Sequence, residues 1–146
     1  MLLAEKEKDG IITIHGGTLF DYVFTIKWES SGRERQAYII HQYLKGLLKL
    51  VQEYEQKAQT DVKIRGTSYI INERTAEKIG LRTAKTDIIQ YIILIYNYPS
   101  LAIAQSIAKK KPAFPKMTQI KTFEAPISAL LKRKAIIEQL CDKTEG

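Results

Sequence analysis

Residues 88–108 read IIQYIILIYNYPSLAIAQSIA, twenty-one positions without a charge between Asp87 and the lysine triplet Lys109-Lys110-Lys111. The reading of this run decides the class of the chain. About twenty apolar residues are enough to cross a bilayer, and seven isoleucines with two leucines favour lipid. The polar content opposes a span. Gln90, Asn97, Ser100, Gln105 and Ser106 would need partners that a lone helix in hydrocarbon lacks. Tyr91, Tyr96 and Tyr98 lie mid-run, whereas anchoring aromatics belong at the two ends. Asn97-Tyr98-Pro99-Ser100 also reads as a break, because the residue before proline avoids the α region and Ser100 suits a new N-cap. The expectation is two core helices, about 87–97 and 100–110, and integral membrane insertion is disfavoured. The same apolar helices suit a homo-oligomer interface or a contact with a membrane surface.

Outward from this run, the rest of the chain has globular composition. Of 146 residues, 45% are hydrophobic and 27% charged, which fits one compact domain spanning 1–146, frayed at 1–9 and 141–146. Cys141 is the sole cysteine, so no internal disulfide forms and a cytoplasmic setting is expected. The opening MLLAEKEKDG lacks the apolar core of a signal peptide.

Upstream, IITIH at 11–15 is a β-branched run ending at Gly16-Gly17, and LFDYVFTIKW alternates with Phe20, Tyr22, Phe24, Ile26 and Trp28 on one face. Period two with aromatics predicts a strand, and the two runs together predict a hairpin. From Ser31 onward Ala37, Ile40, Leu44, Leu47, Val51, Tyr54 and Ala58 recur at steps of three and four, which predicts a helix of about six turns. Ser31 and Glu34 have capping-box spacing at its start. One bulged strand or a tight pair of strands over 62–71 follows, then a short helix capped by Asn72 and stopped at Gly80. Downstream, KKKPAFPK reads as an exposed loop, 117–124 as a weak strand, and 126–141 as a last helix. The fold class expected is α+β, with a small antiparallel sheet (the N-terminal hairpin plus one or two further strands) against four to five helices.

Net charge is +7, and +5 of it falls in residues 105–146. Such a field gathers anions without choosing among them. Two candidate sites follow. Arg65, Thr67, Ser68, Asn72, Arg74, Arg82 and Lys85 make a hydroxyl-rich basic segment that suits a bound anion. Lys109, Lys110, Lys111, Phe114, Lys116, Lys132, Arg133 and Lys134 suit weak, sequence-blind contact with nucleic acid, with Phe114 stacking on a base.

Catalytic signatures are not found. His15-Gly16-Gly17 is a turn signal without the G-x-S-x-G elbow of an esterase. His15, His41 and Cys141 do not share metal-ligand spacing. No phosphate-binding glycine motif occurs, so no cofactor is expected. His41 lies off the apolar stripe and reads as a solvated flank, and Cys141 as a buried inert thiol. The function expected is a non-catalytic binding or assembly module with a basic C-terminal surface. The alternatives are a nucleic-acid-binding protein and a peripheral membrane protein.

Overall fold

A computed structural model of the chain describes residues 2–5, 8–16, 23–68 and 71–144. It is an α+β fold. Among the described residues five strands form one sheet: β1 (Leu2–Ala4), β2 (Ile11–Gly16), β3 (Lys63–Ser68), β4 (Arg82–Ala84) and β5 (Lys121–Pro126), in the order β1-β2-β3-β5-β4. The helices described over their full length are α1 (Gly32–Gln56), α2 (Glu73–Lys78), α3 (Ile88–Lys109), α4 (Ile127–Lys132) and α5 (Lys134–Thr144).

The sheet is mixed rather than antiparallel. β2 and β3 run parallel, with Ile12 opposite Ile64, while every other neighbouring pair is antiparallel. Parallel neighbours need a long crossover, and α1 with its 25 residues provides it.

The N-terminal hairpin exists but uses different strands from those expected. β2 pairs with β1, through a two-residue turn in which Asp9 (φ 53°) and Gly10 (φ 74°) both take positive φ. Lys8 and Ile11 exchange both backbone hydrogen bonds across it, at 3.0 and 2.9 Å. This is the Asp-Gly geometry that matches strand twist. Residues 2–4, expected to fray, are therefore an edge strand. Both edges of β2 are occupied, by β1 and β3, so β2 has no edge left for the hairpin partner expected after Gly17. Residues 17–22 lie outside the described ones, and residues 23–25 are helical.

One face of the sheet carries the core. Ile12, Ile14, Ile64, Phe123 and Ala125 meet Leu44, Leu47 and Val51 of α1, Ile127 and Leu130 of α4, and Ile137 and Cys141 of α5. The last helix is divided at Arg133, and its final turn, expected to fray, is helical to Thr144 with Cys141 buried. Met117–Gln119 is a 3₁₀ turn, and the strand begins at Lys121.

α1 starts with the expected capping box. Ser31 N–H donates to Glu34 Oε2 at 2.6 Å and Glu34 N–H to Ser31 Oγ at 3.3 Å. Donation from Ser31, first from its backbone N–H and then from its side chain, holds the Glu34 carboxyl below its ordinary range. The back of α1 meets α3 in a smaller cluster of Ile26, Ile39, Ala104 and Ala108. The two helices meet so closely that a β-carbon on Gly32 would stand 2.8 Å from the Lys109 carbonyl carbon.

α3 differs most from expectation. It is one helix, not two, and it runs through Pro99. The proline removes the N–H that would serve Ile95 O. Both residues are exposed, so water reaches that carbonyl. Nor is α3 a core helix, because its apolar faces do not all find a neighbour.

Candidate interaction surface

The inner side of α3 carries Leu94, Tyr98, Leu101, Ala102, Gln105 and Ala108, with Gln90 also half-buried. Tyr98 OH donates to Pro115 O at 2.9 Å, and Ser106 Oγ accepts from Ala113 N–H at 2.9 Å. These bonds strap the 112–115 loop along the helix.

The outer side carries Ile88, Ile89, Tyr91, Ile92, Ile93, Ile95, Tyr96 and Ile103, all exposed. Ile88 is 76% and Tyr96 85% accessible. Amphipathic surface helices place their apolar residues inward. Here the isoleucines face water, while the Oε1 atoms of Gln90 and Gln105 are buried and find no donor among the described residues. Exposed apolar patches of this kind mark interaction sites. Each isoleucine moved out of water would contribute about 1.5–3 kcal/mol. No helix among the described residues is long and apolar enough to cross a membrane.

At the C-terminal end of α3 the patch runs into a groove of about 620 Å³, lined by Trp28, Arg35, Ile103, Ile107, Pro112 and Phe114 among others. Phe114 is 73% exposed. Arg35 forms the wall and is only 3% exposed. Its Nη1 donates to Ile107 O at 2.8 Å, its Nε to Ser30 O at 3.1 Å, and its Nη2 to Trp28 O. One guanidinium thus joins the start of α1, the Trp28 loop and the last turn of α3, where the helix dipole favours a cation.

A second groove, about 660 Å³, lies beside β4, β5 and α4. Lys63, Arg82, Lys132 and Arg133 face Glu77 and Glu124 there, so the lining carries excess positive charge.

The structure divides the expected site residues. Of the anion set, Arg82 lines the basic groove. Arg65 donates to Lys85 O at 2.8 Å while its Nε is buried without a partner. Thr67 Oγ1 lies 3.1 Å from Thr122 Oγ1. Ser68 Oγ accepts from Ile71 N–H, and Asn72 caps α2 by accepting from Thr75 N–H at 2.8 Å. Arg74 is exposed on α2. Of the nucleic-acid set, Lys110 and Phe114 line the apolar groove and Lys132 and Arg133 the basic one. The two grooves share no lining residue. Lys134 is paired with Glu55 at 3.1 Å. Lys109 ends α3 and Lys111 follows it, while Lys116 precedes the 3₁₀ turn, next to the Pro115 that Tyr98 binds in mid-helix. Thr122 and Glu124 were not singled out in the sequence, because only the sheet register brings them to these places.

His41 is not a solvated flank. It is buried against α5, with Nδ1 3.0 Å from Cys141 O and 3.6 Å from Cys141 Sγ. A carbonyl only accepts, so the Nδ1 proton points at Cys141 O and this nitrogen does not serve the thiol as a base. The pair is a packing contact between α1 and α5. Among the described residues no group of His, Cys, Asp and Glu converges as a metal site.

Compared with known proteins, the chain matches no family model, no curated protein and no solved structure.

Proposed function

We propose that this chain is a non-catalytic assembly module of the cytoplasm that engages its partner through the outer face of α3. The observation that carries the reading is the exposed apolar outer face of that helix, with isoleucines and tyrosines in water while two glutamine oxygens are buried. The lysines at its C-terminal end give the surface a basic margin, and the single cysteine, the buried Cys141, suits a reducing compartment. The test compares the wild-type chain with Ile92→Glu, at an exposed position that leaves the core untouched, in binding a hydrophobic fluorescent dye. Strong dye binding by the wild type that the variant loses supports the reading. No dye binding by either chain counts against it.

A second reading is anion or nucleic-acid binding, favoured by the four cations around the basic groove. Fluorescence anisotropy with single-stranded and duplex nucleic acid at about 50 and 200 mM salt tests it, since phosphate contacts weaken steeply over that range. Binding lost in Lys132→Ala and Arg133→Ala would place it in this groove. No binding at the lower salt removes it.

A further inference from the structure

We infer that α3 pairs antiparallel with α3 of a second copy of this chain, about a two-fold axis passing between Ile95 and Tyr96. The inference rests on the assembly reading above and names the partner.

Area is the first argument. The eight exposed side chains of the outer face leave on the order of 900 Å² in water, close to the ~800 Å² per partner of a standard stable interface. A typical monomer exposes no patch this large. The face carries no charge between Asp87 and Lys109, as suits the apolar centre of a homodimer.

Symmetry is the second. A two-fold interface requires a surface complementary to itself. The exposed apolar positions run from Ile88 to Ile103, and their midpoint falls between residues 95 and 96. Antiparallel pairing about that point sets Ile88 against the partner's Ile103, Ile92 against Pro99, and Ile95 against Tyr96. Ile103 also borders the groove of Trp28 and Phe114, so the partner's Ile88 arrives at its mouth.

Charge fixes the direction. A parallel pair would bring two lysine triplets together at one end. The antiparallel pair holds them roughly 40 Å apart, on opposite sides of the axis, and opposes the two helix dipoles. A lipid surface suits the face less well. Its tyrosines sit mid-patch, and its lysines stand at one end instead of around the rim.

Sedimentation velocity from about 1 to 100 µM protein reads the association directly. The expected result is a dimer whose dissociation constant rises by about 100-fold or more in Ile92→Glu, with Trp28 fluorescence changing as the dimer forms. Oxidised Tyr96→Cys should cross-link to itself near the axis. Ile88→Cys should not, yet should cross-link to Ile103→Cys when the two are mixed. Self-linking of Ile88→Cys as fast as Tyr96→Cys overturns the antiparallel arrangement. A monomer at every concentration overturns the second copy as partner. In that case, dye or vesicle binding abolished by Ile92→Glu keeps the apolar face as a binding surface, and its absence removes the assembly reading as well.

Discussion

The guanidinium of Arg35 lies 5.3 Å from the ring centroid of Trp28 while donating to the Trp28 backbone carbonyl. The same group holds Ile107 O at 2.8 Å. A buried cation is costly unless its donors are used, and here at least three of the five are. This residue therefore holds the end of α3, and with it the outer face, in place against α1.

Arg35→Met should destabilise the fold by about 3 kcal/mol, because it orphans three carbonyls around a buried site. Arg35→Lys should recover little, since one ammonium does not reproduce the planar fork. Urea unfolding followed by Trp28 fluorescence measures both, and Trp28 is the only tryptophan.

Gly32→Ala tests the close approach of α1 and α3. Helix propensity alone favours alanine over glycine by up to about 1 kcal/mol. The new β-carbon would overlap the Lys109 carbonyl, and backbone does not move aside cheaply. The expected result is a lower melting temperature by calorimetry. A rise would mean that propensity outweighs the overlap.

Pro99→Ala should act in the opposite sense. The helix already continues through this exposed residue, so restoring an N–H for Ile95 O adds a bond without a clash. Thermal unfolding by circular dichroism should shift upward, with a gain of at most about 3 kcal/mol. A loss of helical signal would show that the proline sets the path of α3.

The Ser31–Glu34 box gives a pH dependence of known sign. The folded pKa of Glu34 lies below its ordinary value because Ser31 donates to it. Its contribution is therefore complete above the unfolded pKa and is lost as pH falls through the folded one. Carboxyl carbon NMR should place the Glu34 midpoint below that of an unperturbed glutamate. Ser31→Ala keeps the backbone donor, so it should move the midpoint only part of the way back, and it should cost about 1 kcal/mol through the lost cap.

Features written within a few residues were legible in the sequence. The Ser31–Glu34 box, the Asn72 cap and the 3.6-residue stripe of α1 are such features, since each depends on neighbours along the chain. The Asp9-Gly10 turn was equally local. Its charged surroundings read as a frayed end, because the edge strand it serves has only three residues. What could not be read is which side of α3 faces inward. A helix apolar nearly all round carries no directional signal, so its buried side is set by what α1 and the 112–115 loop leave open. The His41–Cys141 contact joins residues 100 positions apart and is invisible to any periodicity. For the candidate sites, the basic residues were visible as composition. Their division between two grooves follows only from the order of β4 and β5 in the sheet.

The parallel pairing of β2 and β3 has a kinetic consequence. Forty-six residues separate Gly16 from Lys63, and closing a flexible loop of that length costs roughly 3 kcal/mol of chain entropy beyond a constant. Once α1 is wound, most of that loop is already rigid and little disorder remains to be lost. Joining β2 to β3 is therefore cheaper once the helix is wound, and mutations in the first turns of α1 should slow refolding more than they speed unfolding. The two antiparallel edges, β1 and β4, can zip on afterwards, one residue at a time.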